Sequence, residues 1–176
     1  MANEGHAEHW NGEEAGHWVT HRLRYDTMLA PFGDRLLAAA QVAASDRVLD
    51  VGCGCGATTL EAGRRAAAGT ATGLDISTAM LQIARLRAAE EGLGTVSFVV
   101  GDAQTFAFPA DGYDVAISRF GVMFFKGGMG RAVLAGADEA ARDRAVAAVR
   151  DALAPFVTAE GVRIGAGAWL VTARRQ

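Results

Sequence analysis

Cysteine is nearly absent from this chain. Two occur in 176 residues, Cys53 and Cys55, two positions apart. Neighbours that close cannot staple distant parts of a fold, so a disulfide scaffold is excluded. They also lack the second ligand pair that a structural zinc site needs, and no metal is expected. Aromatic residues make up only 7%. No stretch approaches the roughly 20 apolar residues of a membrane helix, so no membrane partner is expected. The first residues, MANEGHAEHW, have no basic stretch followed by an apolar core. A secretory signal is therefore not expected, and a cytoplasmic location is. Positive charge is in short supply too, with a net charge of −3 and a pI near 5.8, which gives no general attraction to nucleic acid.

Hydrophobic residues make up 51% and charged residues 21%, and mean hydropathy is +0.14. Such a composition belongs to a folded protein rather than a disordered tail. A chain of this length holds one ordinary domain and buries roughly 70% of its unfolded surface. Residues 1–16 are polar and read as an N-terminal arm or lid, and 17–176 as a single domain. A helix is expected over 18–29, with Trp18, Arg22, Tyr25 and Leu29 on one face, then a break at Pro31 and Gly33 and a second helix over 34–44. From residue 47 the rhythm changes. Strands are expected at 47–51, 70–76, 96–100 and 113–118, with helices at 57–68 and 78–91, the latter capped by Ser77 or Thr78. Strands alternating with helices give an α/β fold with a doubly wound, mainly parallel sheet and helices on both faces. A further helix over 138–154 and a last strand over 162–173 follow.

The first strand empties into Asp50-Val51-Gly52-Cys53-Gly54-Cys55-Gly56. A glycine-rich turn of this kind lets a ligand approach the backbone, and it opens a helix whose first amides are free donors. A dinucleotide fits the loose spacing, with Asp75 about 20 residues on. The charges argue for another ligand. Asp50, Asp75 and Asp102 end three successive strands, the C-terminal ends of parallel strands share one edge, and the loop holds no lysine. A cationic nucleoside such as S-adenosyl-L-methionine suits that edge. Asp75 can accept from both ribose hydroxyls, Asp102 can take the adenine amino group beside the Ala103 amide, and Asp50 borders the amino-acid end.

Four motifs, VLDVGCGCG (48–56), GLDIS (73–77), GDA (101–103) and YDVAISR (113–119), resemble in order and spacing those of class I S-adenosylmethionine-dependent methyltransferases. The similarity is to the small-molecule, quinone-biosynthesis-like group. It implies a Rossmann-like methyltransferase fold and cofactor contacts at Asp50, Gly52, Gly54, Gly56, Asp75, Ile76, Asp102, Ala103 and Ser118. It also implies that Ser118 and Arg119 face the cofactor and a small-molecule acceptor. One departure stands out. Relatives carry many more residues between the positions of Phe125 and Arg131, where this chain has five. A deletion, a degenerate paralogue or an omitted stretch would explain it. A true deletion leaves the sheet incomplete, with the last strand antiparallel or at an edge and homodimerisation expected.

No general base is evident. His17 and His21, at i and i+4, and Arg119 are the candidates for a catalytic part. Trp10 and Trp18 are candidates to shield the sulfonium. Besides methyl transfer, two readings stay open: a non-catalytic S-adenosylmethionine-binding remnant and a nucleotide-dependent oxidoreductase.

Overall fold

The computed structural model describes residues 4–124, 157–158 and 161–162. Two compact units divide the chain, residues 1–125 with 172–176, and residues 126–171. In the second unit the described residues form one antiparallel pair, β5 (Val157–Thr158) with β6 (Gly161–Val162). The helix expected over 138–154, the remainder of the strand expected over 162–173 and the junction at 126–130 lie outside the described residues.

In the first unit, three helices, α1 (Glu4–Asn11), α2 (Glu13–Thr20) and α3 (Arg22–Ala40), precede an alternating series. That series runs β1 (Arg47–Val51), α4 (Ala57–Arg65), β2 (Thr70–Asp75), α5 (Thr78–Glu90), β3 (Val96–Val100) and β4 (Val115–Ile117), and a 3₁₀ turn at Gly121–Phe124 follows. The four strands form one parallel sheet in the order β3-β2-β1-β4. β1 is central because Val48 and Leu49 point to opposite faces and are both buried, as a two-sided parallel strand requires. The chain moves outward from β1 to β3 and then returns to the other side of β1 for β4. That reversal is a topological switch point, where open α/β sheets leave a crevice beyond the strand C-termini.

Two apolar clusters hold the layers together. Leu37 of α3 and Ala62 of α4 pack with Val48, Ala71 and Ile117, and Leu81, Ala84 and Ala88 of α5 pack with Leu60 and Phe98. At the opposite edge, the Arg47 guanidinium and amide both donate to the Asp114 carboxylate, at 2.8–3.0 Å, tying the start of β4 to the start of β1. These bonds hold the Asp114 carboxyl down at about 2.

Two local expectations are corrected. The helix expected to break at Pro31 and Gly33 does not break. α3 runs through both, because Gly33 and Leu37 are buried against the rest of the unit and that packing outweighs the proline. The actual break lies at His21, between α2 and α3. α4 stops at Arg65, three residues before the expected end. Arg87 of α5 bonds Asp26 of α3 at 3.0 Å and the Cys55 carbonyl at 2.8 Å.

Pro31 is exposed and removes one intrahelical hydrogen bond, so it contributes strain without packing. Pro31→Ala is expected to raise stability by about 1–3 kcal/mol. Urea unfolding measures this, and a loss of stability would show that the ring packs or shapes the helix.

Candidate functional site

Parallel register brings Val51, Asp75 and Val100 to one edge of the sheet, and the turns after them meet there. Gly52 and Gly54 adopt φ of +70° and +55°, which side chains rarely tolerate. A Cβ on Gly52 would also lie 2.7 Å from the Gly121 Cα, so the glycine turn and the turn after β4 touch backbone to backbone. Ser118 strengthens that junction. Its hydroxyl donates to the Val51 carbonyl at 2.7 Å and accepts from the Val122 amide at 3.3 Å.

Between these turns and the N-terminal helices lies a cavity of about 300 Å³. Gly52, Gly54, Asp75, Ile76, Asp102 and Ala103 line one side. Trp10, Trp18, Arg22, Tyr25, Met28 and Leu29 line another, and Arg119, Phe120, Met123 and Phe124 close the third. Asp75 shapes the first side. Its carboxylate accepts from the Gly54 amide at 2.7 Å and from the Ser77 amide at 2.9 Å, joining the glycine turn to the start of α5. The Ser77 hydroxyl in turn caps α5 by accepting from the Met80 amide. Asp102 accepts from the Gln104 amide at 3.0 Å.

Asp50 is placed differently from the sequence expectation. It is 1% exposed and does not line the cavity. One carboxylate oxygen accepts from the hydroxyls of Thr58 (2.8 Å) and Thr59 (2.7 Å), and the other has no hydrogen-bond partner among the described residues. Asp50 therefore pins the first turn of α4 beneath the glycine turn. Burial pushes its carboxyl above the ordinary value, and the threonine hydroxyls and the Arg119 charge pull the other way. Gly56 and Ser118 also lie outside the lining. Gly56 has φ +84°, and a Cβ there would meet Ala84 and Phe98 at 2.9–3.2 Å, so its bareness serves packing.

His17 and His21 do not reach the cavity. Their rings lie 4.5 Å apart, and the His17 ring nitrogen bonds the Tyr25 hydroxyl at 3.0 Å. Tyr25, which does line the cavity, stacks on Trp18 at 4.0 Å. Trp10 stands edge-on to Phe124 at 5.1 Å. Sequence reasoning did not single out Tyr25, Met28 or Leu29 as site residues. The signal was the shared helix face of Trp18, Arg22, Tyr25 and Leu29. Cys55 borders the cavity with its thiol raised by burial to about 11, which makes it a poor nucleophile.

The donor set fits a neutral or cationic nucleoside. A turn of alternating glycine and cysteine, an acid at the end of β2 and another after β3 line the cavity with Arg22 and Arg119, and no lysine stands among the lining residues.

A methyltransferase domain model matches residues 48–155, and the chain belongs to that family. Among curated proteins it is similar to aklanonic acid methyltransferase DauC of Streptomyces sp. (strain C5), 37% identical over 57% of this chain and 46% of that one. It is also similar to nocamycin O-methyltransferase of Saccharothrix syringae, 40% identical over 54% of this chain and 34% of that one. The matches thus span less than half of these relatives' length. A solved structure from Methanococcus maripaludis, provisionally described as an S-adenosyl-L-methionine-dependent methyltransferase, shares the fold, with a TM-score of 0.50, 23% identity and coverage of 57% of this chain and 48% of that one.

The raised Asp50 carboxyl has a consequence for stability. A buried aspartate with a raised value is least costly when protonated, and its cost appears as pH rises through that value. Asp50→Asn has no such proton to gain. Moving from neutral pH down toward the ordinary aspartate value of 3.8, the stability of the wild type relative to Asp50→Asn is therefore expected to increase. Urea unfolding of both proteins at stepped pH reads the difference, and a flat difference would show that Asp50 is not buried as a charge.

Proposed function

We propose that this domain binds S-adenosyl-L-methionine in the cavity and transfers its methyl group to a small-molecule acceptor in the cytoplasm. The observation that carries the reading is the pairing of Asp75 and Asp102 on one wall with a bare glycine turn between strand ends. The cofactor, when bound, supplies a methyl group on a sulfonium, already a good leaving group for in-line attack by an acceptor oxygen, nitrogen or carbon.

The chain's own residues do the positioning. Both Asp75 oxygens accept from a backbone amide, which fixes the carboxylate at the cavity wall, where it suits a ribose diol. Asp102 and the Ala103 amide suit an adenine edge, with Ile76 beside the ring. Gly52 and Gly54 leave room for the ligand against the backbone. Trp10, Trp18 and Tyr25 exclude water and offer ring faces to a cation. Met28, Leu29, Phe120, Met123 and Phe124 give the acceptor side an apolar character, so a largely apolar small molecule is the substrate class that fits. Holding two reactants in line supplies roughly 7–11 kcal/mol in well-oriented cases. No residue of the lining is needed as a base when the acceptor arrives with a free lone pair.

Calorimetry with S-adenosylhomocysteine tests the reading. The wild type is expected to bind, and Asp75→Ala to weaken binding by about tenfold or more, the worth of one or two charge-assisted hydrogen bonds. Unchanged affinity in Asp75→Ala would remove the diol role. Binding of a nicotinamide dinucleotide with none of S-adenosylhomocysteine would replace methyl transfer with the oxidoreductase reading.

A further inference from the structure

Five charged residues line the cavity, and four of them are matched. Asp26 of α3 is bonded to Arg87 at 3.0 Å. Asp75 and Asp102 accept from backbone amides. The Arg119 guanidinium and the buried Asp50 carboxylate act on each other, and the Asp50 oxygen that has no hydrogen-bond partner among the described residues leaves Asp50 as the counter-charge. Arg22, the first residue of α3, is the exception. It lines the cavity and is half-buried, and among the described residues it makes no hydrogen bond and no ion pair. Its own helix does not neutralise it. The first turn of α3 holds no acid, and the acid one turn on, Asp26, is taken by Arg87.

The surroundings of Arg22 say what it can hold. Trp18 lies four residues before it, and Tyr25 and Leu29 follow three and seven residues after it, so all four share one side of the cavity. Trp18 stacks on Tyr25 at 4.0 Å. The guanidinium is thus set into an aromatic and apolar surface. A ligand that fills the cavity takes water away from it. A neutral or cationic ligand then leaves the charge desolvated and unpaired, which costs free energy. A ligand that brings an acid replaces the lost water with charge-assisted bonds, and the planar fork of an arginine matches both oxygens of a carboxylate. Beside Asp75 and Asp102 an anion is repelled, so the acid of such a ligand is directed to the Arg22 side.

We propose that Arg22 determines acceptor choice: it holds a carboxylate carried by an otherwise apolar, ring-bearing acceptor through a forked pair of hydrogen bonds, and so selects acidic acceptors over neutral ones. This names the substrate class for the site described above and rests on the methyl-transfer reading. Arg22 binds and orients the acceptor and takes no proton from it.

Calorimetry on the protein saturated with S-adenosylhomocysteine tests this with two probes that share a ring system, 2-naphthoate and 2-naphthalenemethanol. The wild type is expected to bind the acid about tenfold or more tightly than the alcohol. Arg22→Gln is expected to weaken 2-naphthoate by about tenfold, with 2-naphthalenemethanol and S-adenosylhomocysteine each changed by less than about twofold, and Arg22→Lys to fall between wild type and Arg22→Gln for the acid. Equal affinity of the wild type for the two probes, no binding of the acid, or an equal or absent loss of both in Arg22→Gln would overturn the proposal. So would a loss of S-adenosylhomocysteine as large as the loss of the acid, which would put Arg22 on the cofactor instead. If Arg22→Gln unfolds below the assay temperature, Arg22→Lys carries the same comparison, a selective loss of the acid supporting the proposal and an equal or absent one overturning it. Failure of the wild type to bind S-adenosylhomocysteine is a separate result. It sinks the cofactor reading, and the two probes titrated into the free protein then decide the Arg22 site on the same criteria.

Discussion

The Asp75 carboxylate, accepting from Gly54 on one side and Ser77 on the other, is the constraint on which the site depends. It is the last residue of β2, so the parallel register with β1 and β3 fixes where it stands. It then fixes what stands around it. The bond to Gly54 holds the glycine turn in its positive-φ course, and the bond to Ser77 starts α5, whose apolar face fills the second cluster of the core. A charge-assisted bond of this kind is worth about 1.5–3 kcal/mol, and it helps select one course for glycines that are free to adopt many. Fold and site are thus held by the same carboxylate.

A similar trade occurs on the other side of β1. Phe120 adopts φ +66°, unusual for a bulky residue. It is held there by its neighbours: Ser118 is bonded to Val51, and Gly121 is pressed against Gly52. Phe120 meets Phe32 of α3 edge to face at 5.3 Å. Strain of about 1–3 kcal/mol at such a position persists only where the surroundings over-determine it. Here the outcome is an aromatic side chain aimed at the cavity from the end of β4, next to the Arg119 guanidinium.

Much of this was legible in the sequence, for identifiable reasons. Short branched runs ending in glycine or aspartate announce parallel strands, and β1, β2 and β3 lie within a residue of their expected bounds. The gathering of Gly52, Gly54, Asp75, Ile76, Asp102 and Ala103 at one edge was legible because it follows from strand-end position alone. Asp50 was not, because sequence places it at the same edge but cannot say that two threonines eight and nine residues later draw its side chain under the turn. The course of α3 through Pro31 was hidden for a related reason. Local propensity disfavours it, and only the burial of Gly33 and Leu37 against other elements reverses the balance. Arg87 reads as a surface charge until α3 is packed beside α5, which puts Asp26 within reach.

The cavity also divides by origin. The wall that would recognise a nucleoside comes from residues 52–103, inside the span that matches the methyltransferase domain family. The facing wall, Trp10, Trp18, Arg22, Tyr25, Met28 and Leu29, comes entirely from helices that precede that span. Besides the packing of Leu37 of α3 in the core, two sets of polar bonds join those helices to the family core. Asn11 accepts from the Thr78 amide and hydroxyl and donates to the Ile76 carbonyl, and Arg87 ties Asp26 to the glycine turn through Cys55. Both ties end on the turns that carry Asp75 and the glycines. Those turns are therefore coupled to the N-terminal helices directly as well as through the sheet. Side chains on the facing wall can change while the two ties keep those helices registered on the same strand ends.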